Sequence, residues 1–186
     1  MNHESGNATD AAGVSRGTSM AESAQAHGRY VVECLDAAGN VKWADTIENI
    51  VTNVGKNLAL DTLLTGSAFT AATVMGLKAV GTAVIGDTQA SHAAWLEVGL
   101  ANAPAYSGTR KTPAFSVASA GSKATSSAAS FAFTSSGTVA GCFININGSA
   151  TQDATTGTLY SAGDFTGGSK TVANGDTLNV TYTASL

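Results

Sequence analysis

The sequence predicts a mainly β protein: an antiparallel, jelly-roll-like β-sandwich with an extended N-terminal arm and one short α-helix. Two observations support this prediction. Apolar and polar residues alternate at period two in several short runs, which is typical of strands packed on one face. Glycine-rich turns separate these runs at short intervals. Residues 112–152 carry a single charged side chain, Lys123, and are rich in Ser, Thr, Ala and Gly. Exposed surfaces normally display charged side chains, so this composition favours a structural protein whose surface is covered by other copies or partners.

The composition of residues 1–28 predicts an extended arm, followed by a sandwich domain at residues 29–186. Val14 and two methionines are the sizeable apolar side chains of this segment, too few to bury the surface that independent folding needs. Segments of this composition commonly become ordered on binding another chain. Val14 and Met20 are therefore candidate interface residues.

The domain is expected to open with a β-hairpin followed by the helix. Residues 29–35 and 41–46 have extended patterns, and a turn containing Asp, Gly and Asn joins them. Asn53 is placed to cap a helix over residues 54–64, with Gly66 as its stop. The apolar stripe of this helix is formed by Val54, Leu58, Leu60, Leu63 and Leu64.

The remaining elements are predicted to be strands. We expect strands at residues 74–80 and 94–98, separated by a turn at residues 85–88. From residue 112 onward the alternation becomes regular, with Thr frequent at the polar positions. The apolar positions of these later strands are Phe115, Val117, Phe131, Phe133, Val139, Phe143, Leu178, Val180 and Tyr182.

Composition argues against several classes of function. The formal net charge is −4, so the chain lacks the basic balance that draws nucleic acid. Cys34 and Cys142 lie far apart without the spacing of a zinc site and are expected to be reduced, half-buried thiols. No apolar run long enough for a membrane helix and no signal-peptide pattern occur, so we expect no membrane partner and retention in the compartment of synthesis.

Two segments resemble chemical motifs without matching them. In GDFTGGSKT, residues 163–171, Ser169 separates the last Gly from the Lys, and the turn residues that follow indicate strands rather than the helix a phosphate loop requires. Asp87, Ser91 and His92 have the residue types of a catalytic triad but share one short segment. We predict no catalytic residue, no cofactor and no metal site, and therefore no enzyme.

Aromatic residues are the remaining candidates for contact with other proteins. Trp43 and Trp95 are suited either to an interface, where Trp is enriched, or to the core of a domain poor in aromatic residues. Tyr30 in the first predicted strand is a further candidate interface residue.

Several segments of the domain resemble a family of small structural proteins encoded in the virion gene clusters of tailed phages and prophages. The resemblance spans residues 30–186 and excludes the arm. The matching segments are VKWAD (41–45), NVGKN (53–57), LDTLL (60–64), DTQASH (87–92), RKTPAF (110–115), AGSKA (120–124), GTLYSAG (157–163) and GDTLNV (175–180).

This resemblance implies a virion protein, and most directly a cement or decoration protein bound to the capsid exterior. A head-fibre or tail-fibre component that contacts the host surface is the alternative. The implied partners are the major capsid protein and further copies of the chain, as a dimer or trimer. The implied location is the capsid surface, after synthesis in the host cytoplasm. An enzyme or carbohydrate-binding module unrelated to virions is a third reading, which would need a polar or aromatic cleft.

Overall fold

The computed structural model describes residues 25–65 and 72–186, and it is mainly β with antiparallel strand pairing, as predicted. In these two ranges the elements in chain order are β1 (His27–Leu35), β2 (Val41–Val51), α1 (Asn53–Thr65), β3 (Thr73–Lys78), β4 (Glu97–Val98), β5 (Ser122–Ala124), β6 (Ala129–Ala132), β7 (Gly137–Val139), β8 (Gly141–Ile146), β9 (Thr158–Asp164), β10 (Lys170–Val172) and β11 (Thr177–Ser185).

Strand β2 connects the two halves of the fold. One half contains β1, β5, β6 and β11, and the other contains β3, β4, β8 and β9. The first part of β2 pairs with β1, and its last residues, Ile50 and Val51, pair with β9. The resulting strand order is β4-β3-β8-β9-β2-β1-β11-β5, with β6 also paired to β11. Strands β7 and β10 form a separate two-stranded sheet. The jelly-roll form of the sandwich stays a prediction.

The main core lies between the two halves, which is consistent with a β-sandwich. Tyr30 and Val32 of β1 and Val180 of β11 are fully buried in one cluster with Leu77 of β3 and Cys142 of β8. A smaller cluster covers the opposite face of β8. Its members are Ala83, Trp95, Phe143, Leu159 and Ala162.

The predicted hairpin is present, and its first strand begins two residues before the predicted domain boundary. Residues of β1 are alternately exposed and buried, because one face of the strand packs on the core. The Asp36 carboxylate accepts hydrogen bonds from the backbone amides of Ala38 and Asn40 at 2.9 and 2.8 Å, which closes the turn. The predicted arm before residue 25 lies outside the described residues.

Helix α1 begins one residue earlier than predicted, and its cap is Thr52 rather than Asn53. The Thr52 hydroxyl accepts the Gly55 amide at 3.1 Å, and it also donates to the Leu159 carbonyl of β9. Gly55 is needed at this contact, because a Cβ there would lie 2.6 Å from the Tyr160 carbonyl oxygen. The predicted stop, Gly66, lies outside the described residues.

Two strand predictions and one burial prediction were wrong in detail. The strand expected at residues 94–98 is reduced to Glu97–Val98. The expected strand around Phe115 and Val117 is absent from the described structure: Phe115 makes an isolated bridge to Thr125, and Val117 is 92% exposed. The thiols are free but fully buried rather than half-buried.

Candidate functional site

An open apolar groove lies between α1 and one end of the sandwich. Its volume is about 550 Å³. One wall is the side of α1 that carries Leu58 and Leu63, and the opposite wall comes from strands of both halves of the fold. The side chains of that wall include Phe115, Ile144, Ile146, Tyr160 and Tyr182.

The groove wall is almost uncharged. Among the described residues that line it, Lys123 is the only one with a charged side chain, and its ammonium donates to the Ser116 carbonyl at 3.0 Å. Burial raises the pKa of Tyr182 and of Tyr160, so both phenols stay protonated and neutral at physiological pH. These properties suit an apolar occupant and offer no acid–base group for catalysis.

Helix α1 also carries apolar side chains on the face that points away from the groove. Leu60 and Leu64 are four residues apart, so they lie on one side of the helix, and they are 54% and 76% exposed. Leu63, 78% exposed, lies between this outer face and the groove. We call Leu60, Leu63 and Leu64 the leucine face. The sequence predicted that these leucines belong to an apolar stripe, whereas in the structure their side chains are exposed to solvent.

A second, polar cavity of about 390 Å³ is formed by the loops around β4. Gln89, His92, Glu97 and Asp153 are among its lining residues. The Gln89 amide nitrogen donates to the Ala154 carbonyl at 3.3 Å, while its buried side-chain oxygen has no hydrogen-bond donor within the described residues. The Gln89 oxygen is itself buried, so the acceptor that this cavity presents to a ligand is the exposed Asp153 carboxylate.

A buried ion pair supports the floor of the polar cavity. Arg110 and Glu97 form a bidentate pair, with Nε to Oε1 at 2.9 Å and Nη2 to Oε2 at 2.6 Å. Arg110 also donates to the carbonyls of Ser149 and Ala154, and Glu97 accepts the Asp153 amide at 2.8 Å. The hydrogen-bonding groups of Arg110 and Glu97 are engaged within the fold. The two side chains therefore hold the loop at residues 147–157 in place and do not act on a ligand.

The segments that resemble chemical motifs have structural roles. Asp87 accepts hydrogen bonds from the Trp95 indole and the Val84 amide, both at 2.9 Å. The His92 ring stacks on Trp95 with centroids 3.9 Å apart. These contacts do not form a triad with Ser91, whose amide donates to the Thr88 hydroxyl. The glycine-rich segment at residues 163–171 joins β9 to β10, as the turn residues predicted.

The five candidate interface residues have different placements. Tyr30 and Trp95 are buried inside the chain, which removes both from the side chains available to a partner in this conformation. Trp43 is half-buried: its indole donates to the Thr171 carbonyl at 3.0 Å, and its ring meets Phe165 edge-on. Val14 and Met20 lie outside the described residues.

Sequence reasoning did not single out the groove. Its residues are dispersed over α1, five strands and the loop that carries Phe115, so their proximity depends on tertiary pairing. The one local signal was the density of leucines in α1, which is greater than a single narrow stripe requires.

Comparison with protein-family models, with curated proteins and with solved structures finds no match for this chain. Within residues 25–65 and 72–186, no cluster of three or more His, Cys, Asp or Glu side chains is placed to hold a metal ion. The same part of the chain contains no helix long and apolar enough to cross a membrane.

Proposed function

We propose that this chain is a structural protein of a tailed-phage virion that binds the capsid exterior and stabilises the shell. The observation that carries this proposal is the leucine face of α1. Soluble monomers rarely leave neighbouring large apolar side chains in solvent, and such patches commonly mark protein contacts. The resemblance of residues 30–186 to virion structural proteins supports the major capsid protein as the partner.

Contact through the leucine face accounts for specific attachment without a catalytic centre. Burying one leucine side chain contributes about 1.5–3 kcal/mol, so Leu60 and Leu64 together supply several kcal/mol before the cost of association. Helix α1 is held on β9 through Thr52 and Gly55, and it therefore presents these leucines from a fixed position. Multiple copies on one shell would reinforce each other through multivalent attachment.

The first test is the copy number of this chain in purified virions, measured by quantitative densitometry against the major shell protein. A ratio comparable with that of the shell protein is expected for a cement protein. A much smaller ratio would instead assign the chain to a fibre or tail, and absence from the particles would refute a virion role.

The second test removes the leucine face and measures co-sedimentation with capsids that lack the chain. We expect Leu60→Ser with Leu64→Ser to weaken binding by at least about tenfold. Val80→Ser with Leu100→Ser is the matched control, because these side chains are also exposed but belong to loops beyond β3 and β4. Equal binding by both double variants would show that α1 is not the contact.

The polar cavity favours a second candidate function, a head-fibre or tail-fibre component that contacts host-surface carbohydrate. The exposed Asp153 carboxylate offers an acceptor to sugar hydroxyls within a cavity of about 390 Å³, which His92 also lines. Binding to arrayed bacterial-surface oligosaccharides would test this role. Loss of that binding in Asp153→Ala would support it, and a lack of binding by the parent chain would count against it.

A further inference from the structure

We propose that the apolar groove is the docking site for residues 14–20 of the same chain, with the Met20 side chain inserted between α1 and the sandwich. This segment lies outside the described residues. The proposal concerns the free protein and does not depend on a virion role, so it can fail while the capsid proposal stands.

The described chain starts at the groove wall. In the register of β1 and β11, His27 is opposite Ser185, and Gly28 is opposite Ala184, which lines the groove. Gly28 packs directly on Tyr182, another lining residue, because a Cβ there would lie 2.2 Å from the phenol oxygen. The residues before β1 therefore leave the fold beside the groove rather than at a remote surface.

The intervening chain is long enough to bring Met20 to any part of the groove. The seven residues from Met20 to His27 can span about 23 Å when extended. The groove runs along α1, whose 13 residues make a helix about 20 Å long. A short tether also gives the segment a local concentration of about a millimolar or more, which favours it over a second copy or a dilute apolar ligand.

The chemistry of the segment matches the groove. Met20 has an unbranched, adaptable side chain of the kind that fills irregular apolar gaps. Glu22, two residues after Met20, carries a carboxylate that is opposite in charge to the Lys123 ammonium of the groove wall.

Paramagnetic relaxation measurements on the full chain test the docking. A nitroxide is attached to Ser19→Cys, where the label adjoins Met20 without replacing it. The native thiols are fully buried, and burial raises the pKa of both, so the introduced cysteine is labelled selectively. The observed signals are the methyl resonances of Leu58, Leu63, Ile144 and Ile146.

Docking predicts strong broadening of these methyl signals, which Met20→Asp in the labelled chain removes. Burial of one methionine changes a docking equilibrium by roughly ten- to a hundredfold, so the docking equilibrium constant should fall by about that factor. Ala8→Asp is the control for an added arm charge and should leave the broadening unchanged. Broadening that is equal with and without Met20→Asp would indicate an undocked tether and overturn the proposal.

Mixing distinguishes the same chain from a second copy. A spin-labelled chain without isotopes is combined with a methyl-labelled chain without nitroxide. Docking within one chain predicts no broadening in this mixture. Strong broadening there would assign the groove to the arm of a second copy, and an absence of broadening in every sample would leave the groove without the proposed occupant. Either result would overturn the proposal.

Discussion

Replacement of Arg110 by Met should destabilise the fold strongly, because it leaves a buried carboxylate without its counter-ion. Glu97 loses both bonds of the bidentate pair and keeps the Asp153 amide as its remaining donor among the hydrogen bonds described above. The carbonyls of Ser149 and Ala154 lose their guanidinium donors as well. Breaking a buried pair in this way costs about 3–5 kcal/mol.

The assay is urea unfolding of the parent and the variant, with calorimetry as a second measure. For a domain of this size each kcal/mol lowers Tm by about 2–4 °C, so Tm should fall by about 6–20 °C. Replacing the partner too, in Arg110→Met with Glu97→Leu, should recover much of the loss, because an apolar pair leaves no unpaired charge.

A matched control separates this effect from the loss of any cation. Lys123→Met removes an exposed ammonium that donates to the Ser116 carbonyl at 3.0 Å and should cost no more than about 1 kcal/mol. A loss below about 1 kcal/mol for Arg110→Met would refute the reasoning. A double variant no more stable than Arg110→Met alone would refute it equally.

Three further predictions concern other parts of the fold. Gly55→Ala should lower the urea midpoint. The added Cβ would clash with the Tyr160 carbonyl at a cost of about 1–3 kcal/mol, which exceeds the gain of about 1 kcal/mol in helix propensity. A raised midpoint would contradict the close packing of α1 on β9. Burial raises the pKa of Cys34 from 9.0 to about 11, so the native state retains the thiol proton more strongly than the unfolded state. Its contribution to stability is therefore complete below pH 9 and is lost as pH rises towards 11. The urea midpoint should fall more steeply over that range in the parent than in Cys34→Ala, and equal falls in both would contradict this. Val117→Ser should change the free energy of unfolding by less than about 0.5 kcal/mol, and a larger loss in calorimetry would mean that this side chain is packed.

The elements predicted best are those whose local pattern and tertiary pairing agree. Strand β11 buries Leu178, Val180 and Tyr182 on one face, as its alternation predicted, because it lies between β1 and the short strands β5 and β6. The same alternation around Val117 produced no strand. The difference lies in pairing, since a period-two pattern indicates which face could be buried but does not supply a neighbouring strand.

The candidate site was less predictable because it depends on distant contacts. Thr52 and Asn53 are both good capping residues, and the bond from Thr52 to the Leu159 carbonyl determines which of them starts α1. The leucines of α1 predicted burial, yet the helix packs against β9 near its first turn and leaves Leu60 and Leu64 in solvent. No sequence pattern near Arg110 or Glu97 predicts their ion pair, because the two residues are 13 positions apart in the sequence.

The side-by-side placement of His27 and Ser185 determines how the domain responds to mechanical load. A force that separates residue 25 from residue 186 acts at the open end of the β1–β11 ladder. It stretches one pair of hydrogen bonds at a time, so the strands should peel apart at low force. The same force applied between residue 25 and Thr177 would load the ladder in shear, with many bonds resisting together. A tether attached at residues 25 and 186 would thus separate the strands at low force, while one attached at residues 25 and 177 would withstand a higher force.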